Sequence, residues 1–401
     1  MPRRSPPLPA LETGWDRVLA LRLARHHLAV RATPDRAVDV VADLVGLHAQ
    51  VMGSAELQLG ARVDGLRAAD VRDVVWEQRR LVKAWSFRGT LHLLVPDDLA
   101  DFVLAAATRE RWHEPTWQRY FGMTVERMES IIAAVDAVLS DRPLARAQLA
   151  DAVAERTGDE ELGTLLRTGW GTFLGAPAQR GSLIFGPNDG RNVTFVKPSA
   201  WLGRAIARAD RPDAPEPLDA LASMIARFLA AFPGSSLAMI GRWWGATRAT
   251  LIRDAAARLP VEVADVDVDG VTTLVRRDDL AELAATQPFA GVRLLPGFDP
   301  FTNELPRRVD AVLPVEHHDL VYRTAGWVTP LVLIDGQIRG TWEIGGGRHG
   351  VVQVTPWGRW RGGVRNELTA EVDRFASFLD RRLAVEFGAP LAIARNGAGG
   401  R

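Results

Sequence analysis

The sequence predicts an α+β protein with three tandem winged-helix units followed by a small C-terminal β-barrel-like domain. Two observations lead to this fold class. The order helix, turn, helix, β-hairpin recurs along the first three quarters of the chain, and that order is typical of a winged helix, whose hairpin is the wing. From about residue 309 the pattern changes to short strands separated by glycine turns, as in a small antiparallel sheet or barrel.

The composition is that of a globular protein without a strong overall charge. Of the 401 residues, 47% are hydrophobic and 24% are charged, and 49 Lys and Arg balance 49 Asp and Glu. A net charge of zero provides no global attraction to nucleic acid, so binding of that kind must come from a local patch. Almost all the basic residues are arginine, whose planar guanidinium is better suited than the lysine ammonium to bind phosphate through two hydrogen bonds. The lack of cysteine excludes disulfides, thiolate nucleophiles and cysteine metal sites.

The ends of the chain contain no pattern typical of membrane targeting. Residues 1–10 are rich in proline and arginine and lack the apolar segment of a signal peptide. No uninterrupted apolar run approaches the length of a membrane span. We therefore expect a cytoplasmic protein, associated with the nucleoid if it binds DNA.

In the first unit, apolar spacing predicts a helix over 15–28 and a second helix that starts at Pro34 and continues to His48. A third helix, capped by Asp70, precedes a short strand over 90–95. One such segment is compatible with many folds. Its value for the winged-helix prediction comes from the repeats that follow.

The second and third units repeat the order more clearly. Each has two helices followed by a hairpin, which turns at Asn188-Asp189-Gly190 in the second unit and at Asp269-Gly270 in the third. Ser235-Ser236 is the expected N-cap of the first helix of the third unit. The helices are predicted over 144–156, 162–176, 237–244 and 251–259.

The last part of the chain is predicted as strands between 309 and 360, including Ala311-Val312-Leu313, closed by an amphipathic helix over 368–387. Domain boundaries follow from these changes of pattern. They are 1–125, 126–212 and 213–305 for the winged-helix units, 306–390 for the C-terminal sheet with its closing helix, and 391–401 for a disordered tail.

The candidate functional feature of the first unit is the stretch 45–50, Val-Gly-Leu-His-Ala-Gln. If this stretch is the end of a helix, His48 lies at the end of the apolar stripe that forms the buried face of that helix. If the chain is already extended at Leu47, residues two apart point to the same side, so the His48 ring and the Gln50 amide converge on one small ligand or water. The alternative from spacing alone is a core histidine capped by a structural glutamine.

Several motifs spread over the chain carry a family resemblance. They are Leu47-His48-Ala49-Gln50, Arg88-Gly89-Thr90-Leu91-His92-Leu93, the hairpin 180–196, Leu295-Pro296-Gly297-Phe298-Asp299-Pro300, and Gly326-Trp327-Val328-Thr329-Pro330 followed by Asp335-Gly336. Together they resemble the winged-helix DNA glycosylases, the bacterial enzymes related to AlkZ and YcaQ that remove bulky alkylated bases and unhook interstrand crosslinks. The resemblance runs from about residue 18 to residue 387, and its most specific part is the Arg-Gly-Thr-Leu-His block at its distance from the Ala-Gln pair.

The resemblance implies a concave DNA channel formed by three winged-helix units and a β-barrel. It also implies that a Gln-x-Gln or Gln-x-Asp motif holds the water that attacks the sugar C1′. His48 and Gln50 stand at those positions, so histidine replaces the first glutamine, which bears on substrate range and on activity. Arg88 and Arg180, each beside a glycine at the foot of a wing, are candidate phosphate contacts, with a strand-capping or surface role as the alternative. The expected DNA contacts are Arg88, Arg180, Lys83, Thr90 and His92.

The residue chemistry agrees with such a reaction. An N7-alkylated purine already carries positive charge and leaves as a neutral base, so a weak catalyst suffices. The Gln50 amide oxygen can orient water, and a neutral His48 can accept a proton. Positive charge develops on the sugar as the base departs, so a protonated His48 opposes the reaction and activity should fall at low pH. A Schiff base at Lys83, which would lead to strand cleavage, is disfavoured because nothing in the sequence marks Lys83 as buried.

Other polar and aromatic groups have plainer explanations. The run 316–319 looks metal-like, but neighbouring histidines on an extended chain face opposite ways, so no metal is expected. His26-His27 is expected on a helix surface, and Trp243-Trp244 in a helix–helix core. Trp112 and Trp117, with arginines between them, are more typical of a helix packed between units than of a DNA contact.

These observations predict a monomeric, monofunctional DNA glycosylase without cofactor or metal, which hydrolyses the N-glycosidic bond of N7- or N3-alkylated purines, including bulky or crosslinked ones, in double-stranded DNA. The rival hypothesis is a winged-helix DNA-binding protein without catalysis, as a regulator or architectural factor. A regulator usually dimerises to match symmetric half-sites and would tolerate the loss of His48 and Gln50.

Overall fold

A computed structural model of the protein describes residues 11–168, 171–206, 214–246, 248–307, 309–345 and 349–388. The tail predicted over 391–401 lies outside these residues. Within them, strands form a six-stranded, a three-stranded and a five-stranded sheet, and helices pack around each sheet. No helix of these residues combines the length and hydrophobicity needed to span a bilayer.

The secondary structure is a mixture of short helices and short strands. The helices are α1 Trp15–Arg25, α2 Ala37–Asp43, α3 Met52–Gly60, α4 Ala68–Trp76, α5 Pro96–Ala106, α6 Pro115–Phe121, α7 Val125–Val138, α8 Arg146–Thr157, α9 Glu160–Thr168, α10 Gly175–Gln179, α11 Pro198–Leu202, α12 Pro217–Ala231, α13 Leu237–Trp244, α14 Ala249–Ala256, α15 Leu280–Ala285, α16 Pro300–Asn303, α17 His318–Val321 and α18 Val364–Leu379. The strands are β1 Leu11–Thr13, β2 Leu47–His48, β3 Val82–Trp85, β4 Leu91–Leu94, β5 Leu144–Ala145, β6 Ile184–Asp189, β7 Asn192–Val196, β8 Val263–Val268, β9 Val271–Arg276, β10 Val292–Leu295, β11 Leu331–Ile334, β12 Gln337–Ile344, β13 His349–Pro356 and β14 Arg382–Phe387.

The six-stranded sheet has the order β2-β4-β3-β6-β7-β5 and consists of two halves with the same connectivity. In each half, a short strand that follows one helix pairs antiparallel with the second strand of the hairpin: β2 with β4, and β5 with β7. The halves join where Lys83 on β3 pairs with Phe185 on β6. The first strands of the two hairpins therefore lie side by side at the centre of the sheet.

The third hairpin is formed by β8 and β9, with register Val268 opposite Val271 across the predicted turn. It follows α12, α13 and α14, and Ser235 pairs with Leu274 on β9, as β2 and β5 pair in the other two units. The predicted cap is confirmed, because Ser236 Oγ accepts a hydrogen bond from the Met239 amide at 3.3 Å. β1 adds to this sheet by pairing parallel with β8.

The C-terminal domain confirms the predicted barrel-like sheet as a curled half-barrel of five strands, in the order β10-β11-β12-β13-β14. The predicted closing helix over 368–387 is wrong in its second half. α18 ends at Leu379, Asp380 has a left-handed φ of +50°, and β14 pairs parallel with β13. Alternation of the half-buried Leu383, Val385 and Phe387 with exposed residues follows the period of a strand rather than of a helix.

Four other local predictions require correction. The helix expected from Pro34 to His48 ends at Asp43, since Val45 and Gly46 have left-handed φ values of +54° and +102°, so His48 lies on β2. Asp70 is the third residue of α4 and not its N-cap, which is Arg67; it accepts a hydrogen bond from the Arg67 amide at 2.9 Å, as in a capping box. The helix predicted over 162–176 is divided between α9 and α10, and the run 311–313 forms no strand.

A buried ion pair joins the first unit to the segment that follows β10. Arg62, just after α3, donates to both carboxylate oxygens of Asp299 at 2.7 and 2.8 Å. Both side chains have an exposed fraction of 0%. Asp299 also accepts from the Phe301 amide at 2.9 Å and so caps α16. This pair fixes the position of the segment 295–303 against α3.

We expect Asp299→Ala to lower the free energy of unfolding by about 3–5 kcal/mol, because it leaves the Arg62 guanidinium buried without a counter-charge. The measurement is urea denaturation. The matched control is Arg258→Ala, which breaks the exposed pair with Asp219, whose side chains are 48% and 52% exposed; its expected cost is below about 1 kcal/mol. Equal effects of the two substitutions would contradict the role given to the buried pair.

Candidate active site

His48 lies at the end of β2, directly opposite His92 on β4. Its ring stacks on Phe298, with ring centroids 4.6 Å apart and an interplanar angle of 11°. The edge of the His92 ring meets it at 5.3 Å. With only 6% of the residue exposed, the His48 ring is held in one orientation by an aromatic neighbour on one side and a second imidazole on the other.

Phe298 takes this position through a strained backbone. Its φ of +58° is unusual for a bulky residue. Asn303 Nδ2 donates to the Phe298 carbonyl at 2.9 Å, and the Phe298 amide donates to the Val328 carbonyl at 3.3 Å. The next residue, Asp299, is held by the buried pair described above. Such strain persists where surrounding contacts impose it, and it is typical of functional sites.

Gln50 is exposed and follows His48 by two residues, and the chain is already extended at Leu47, as one of the two alternatives predicted. Its side-chain oxygen accepts a hydrogen bond from the Leu91 amide at 3.3 Å. The backbone between the two residues is fixed as well, since Ala49 donates to the Leu91 carbonyl at 2.7 Å and Gln58 Nε2 donates to the His48 carbonyl at 3.1 Å. β4 therefore anchors both candidate catalytic residues.

The electrostatics of the site keep both imidazoles neutral. Burial lowers the pKa of His48 to about 4, and the positive charge of Arg88 contributes to the shift. Burial also holds the pKa of His92 well below its usual value. His92 Nδ1 lies 2.8 Å from Ser86 Oγ, whereas His48 Nδ1 is buried without a hydrogen-bond partner among the described residues. At neutral pH His48 can thus accept a proton or a hydrogen bond.

Arg88 and Glu304 lie beside the histidines. Arg88 Nη1 donates to Glu304 Oε1 at 2.6 Å, and the Glu304 side chain is 3% exposed. A cavity of about 20 Å³, enough for one water, is lined by His48, His92, Arg88 and Glu304 among others. Gly245, just after α13, packs against the backbone of Arg88. A Cβ at this position would lie 2.9 Å from the Arg88 Cα, so this close approach requires glycine.

The other predicted DNA contacts have different surroundings. Arg180 is paired with Glu110 and Glu129, at 2.9 and 3.3 Å from its Nη2. Thr90 is half-buried and donates to the Phe87 carbonyl at 3.0 Å. His92 is 4% exposed, which places it inside the protein beside His48. Of the predicted residues, the structure thus brings His48, Arg88 and His92 together around one cavity, places Gln50 two residues after His48 and leaves Arg180 apart.

Lys83 lies on the opposite face of the sheet from His48. Across the strands Lys83 stands opposite Leu93, and Leu93 opposite Leu47, whereas His48 and His92 belong to the adjacent row. Adjacent rows point to opposite faces. Burial lowers the pKa of Lys83, and its ammonium lies 5.4 Å from the centre of the Phe185 ring, a packing that the sequence did not reveal.

Burial decides between the core and surface positions considered for the other histidine and tryptophan side chains. Trp243 and Trp244 are 4% and 0% exposed and belong to the core, as predicted. His26 is wrongly predicted on the surface: it is fully buried and its Nε2 lies 3.0 Å from the Ala231 carbonyl. Trp112 is also buried. Among the described residues no group of three or more His, Cys, Asp or Glu is placed to hold a metal ion.

Comparison with known proteins decides the family. The family model described as DNA glycosylase AlkZ-like matches residues 41–378. The chain therefore belongs to the AlkZ-like DNA glycosylases. It is 34% identical over 339 residues, 83% of this chain and 89% of the relative, to a protein of Streptomyces sahachiroi named interstrand DNA cross-link repair glycosylase. The solved structure of Streptomyces sahachiroi DNA glycosylase AlkZ is similar with a TM-score of 0.84 and 32% identity, covering 94% of this chain and all of that one.

Membership of the AlkZ-like family makes the protein a DNA glycosylase, as the resemblance implied. The motif Leu295 to Pro300 contributed to that resemblance without a role for its residues. The structure shows that Phe298 packs on His48 and that Asp299 fixes its position. Arg62, Gln58 and Glu304 were missed, because nothing in their local sequence signals a contact hundreds of residues away.

We expect the folded state to lose stability as the pH falls below about 6.5, because the buried histidines must bind protons that the unfolded chain binds more readily. The share of His48, up to about 3 kcal/mol, is present above pH 6.5 and lost as the pH falls to about 4. Asp98, whose pKa burial raises to about 6, works in the opposite direction. Comparison of wild type with His48→Gln by thermal unfolding at several pH values isolates the histidine; parallel losses in both proteins would contradict its buried, neutral state.

Proposed function

We propose that the protein is a monofunctional DNA glycosylase that hydrolyses the N-glycosidic bond of alkylated purines, including bulky and crosslinked ones, with His48 and Gln50 holding the attacking water. The observation that carries this proposal is the placement of a neutral His48 against Phe298, two residues before an exposed Gln50, at the end of one anchored strand. The cross-link repair activity in the name of the Streptomyces relative supports the substrate class.

In the proposed reaction, the base departs as a neutral purine while positive charge develops on the sugar. Gln50 orients a water toward C1′ by hydrogen bonding, and His48 accepts a hydrogen bond and then a proton from that water. A charged imidazole would repel the developing cation, so the burial that keeps His48 neutral favours the reaction. Glu304 is the nearest anionic partner of Arg88 and offsets its positive charge beside the site.

The proposal of monofunctional chemistry rests on the positions of the lysines. Strand cleavage would need an amine that attacks the same carbon as the water. Lys83 lies on the opposite face of the sheet from His48. Lys197 is held by Asp136, with its ammonium 2.8 Å from the backbone oxygen and 3.1 Å from the carboxylate. Because neither lysine lies beside His48, we propose hydrolysis by water.

We further propose that the three hairpin units are winged helices that line a DNA channel, within the boundaries predicted above. The shared pairing of a short strand with the second hairpin strand supports this assignment, although β1 and β10 pair across the boundaries. Arg180, Lys83 and Thr90 remain proposed DNA contacts, while the burial of His92 and the ion pair of Arg88 favour a role beside His48. We also propose that the protein acts as a monomer on double-stranded DNA in the nucleoid.

We expect the wild type to release N7-methylguanine from a duplex oligonucleotide, measured as alkali-labile abasic sites under single-turnover conditions. Gln50→Ala and His48→Ala should retain DNA affinity and lose at least about tenfold in rate. His48→Gln, which restores the Gln-x-Gln pattern of the family, should keep more activity than His48→Ala. The matched control is Gln287→Ala, which truncates an exposed glutamine of a different unit and should leave the rate unchanged.

Two outcomes would count against the proposal. If the wild type releases no alkylated base while it binds DNA, the non-catalytic regulator becomes the better hypothesis. If both alanine variants release base at the wild-type rate, the protein remains a glycosylase, but the water is held by other residues. The separate proposal of a DNA channel fails if the affinity for DNA does not depend on the salt concentration.

A further inference from the structure

A cleft lies between the outward face of the C-terminal sheet and the segment 318–330, which overhangs it. Its volume is about 960 Å³, far larger than the cavity beside His48. The overhang contributes Leu320 and Trp327 to the lining, and β12 and β13 contribute the floor. A space of this size accommodates a ligand much larger than a single purine.

Trp327 connects this cleft to the active site. Its side chain lies edge-on to Phe298, with centroids 5.0 Å apart and an angle of 73°, and Phe298 in turn stacks on His48. Trp327 is nevertheless 44% exposed, and Leu320 on the same overhang is 50% exposed. An indole that is supported on one edge and open elsewhere is suited to stack on a planar group.

The floor of the cleft is polar. Thr341 on β12 stands opposite Thr355 on β13, and the neighbouring pair on the same face is Glu343 and Gln353. Hydroxyl and amide groups at these positions offer hydrogen bonds to heteroatoms of a ligand. The cleft therefore combines an aromatic and aliphatic roof with a hydrogen-bonding floor.

The charge of the lining is not that of a phosphate-binding groove. Among the described residues, the charged side chains of the lining are Asp319, Glu343 and Arg323. This part of the lining lacks the cluster of basic residues with which proteins bind the phosphate backbone. It is compatible with an uncharged organic group or with a cation, and a cation also gains from the face of the indole. The cleft is thus suited to the lesion rather than to the DNA strand.

We propose that this cleft is the subsite for the bulky substituent of the alkylated base, with the planar part of the adduct stacked on Trp327. The inference rests on the proposed function, because only a base placed at His48 brings its substituent to the neighbouring ring. Phe298 separates the two regions, so the reacting sugar lies on the His48 side and the substituent on the Trp327 side. The subsite determines which adducts are removed and has no part in the hydrolysis.

The test compares two duplexes, one with N7-methylguanine and one with an N7-guanine adduct that carries a planar polycyclic group. Trp327→Ala should lower kcat/KM for the polycyclic adduct by about tenfold and change release of methylguanine less than about twofold. Trp327→Phe, which keeps an aromatic face, should recover most of the loss. The control is Trp360→Ala, which removes a tryptophan of the same domain that donates to the Arg339 carbonyl.

The outcomes separate the two proposals. If Trp327→Ala releases both adducts normally, or loses both equally, the subsite is overturned while the glycosylase proposal stands. If the wild type releases neither adduct, the proposed function fails and the subsite fails with it. A selective loss that phenylalanine recovers and that Trp360→Ala does not reproduce supports the subsite.

Discussion

The geometry of the site depends on the ion pair between Arg62 and Asp299. These residues are 237 positions apart in the chain, and neither is exposed. Two charges without solvent are stable only in close mutual contact, so the pair forces the segment after β10 against α3. That segment contains Phe298, whose strained backbone would otherwise relax and release the His48 ring. The pair thereby helps to hold one wall of the candidate site, together with Gln58 Nε2, which donates to the Gly297 carbonyl at 3.2 Å.

In the proposed site, burial allows a histidine to take the place that the resemblance assigns to a glutamine. An ordinary surface histidine is partly charged near neutral pH, which would oppose a reaction that builds positive charge on the sugar. At a pKa of about 4, His48 is neutral and offers one donor and one acceptor, much as an amide does. Phe298 and His92 create the burial, and therefore they determine the protonation state as well as the orientation of the ring.

The sequence predicted those features that depend on neighbouring residues. The hairpin turn at 269–270 and the cap at Ser236 have strong local signals and are present, whereas the hairpin predicted to turn at 188–190 forms with its turn at 190–191, because Asp189 pairs with Asn192. The end of α2 was missed because the break depends on a left-handed Val45, a residue that rarely adopts that conformation. In the candidate site, His48 and Gln50 were found through motif and spacing, whereas Arg62, Phe298 and Glu304 act through distant contacts that have no local pattern.

Phe298 differs in its role from His48 and Trp327, the two side chains that lie on either side of its ring. Its ring contacts His48 on the hydrolytic side and Trp327 on the side of the cleft, so its removal would disturb both the orientation of the histidine and the support of the indole. Among the ring contacts of the described residues, Trp327 meets Phe298 and not His48, and its side chain is partly exposed. In the proposed site it can therefore vary without altering the chemistry. In the proposed arrangement, the Trp327 position therefore has more freedom to vary with adduct size than Phe298, whose ring contributes to both catalysis and recognition.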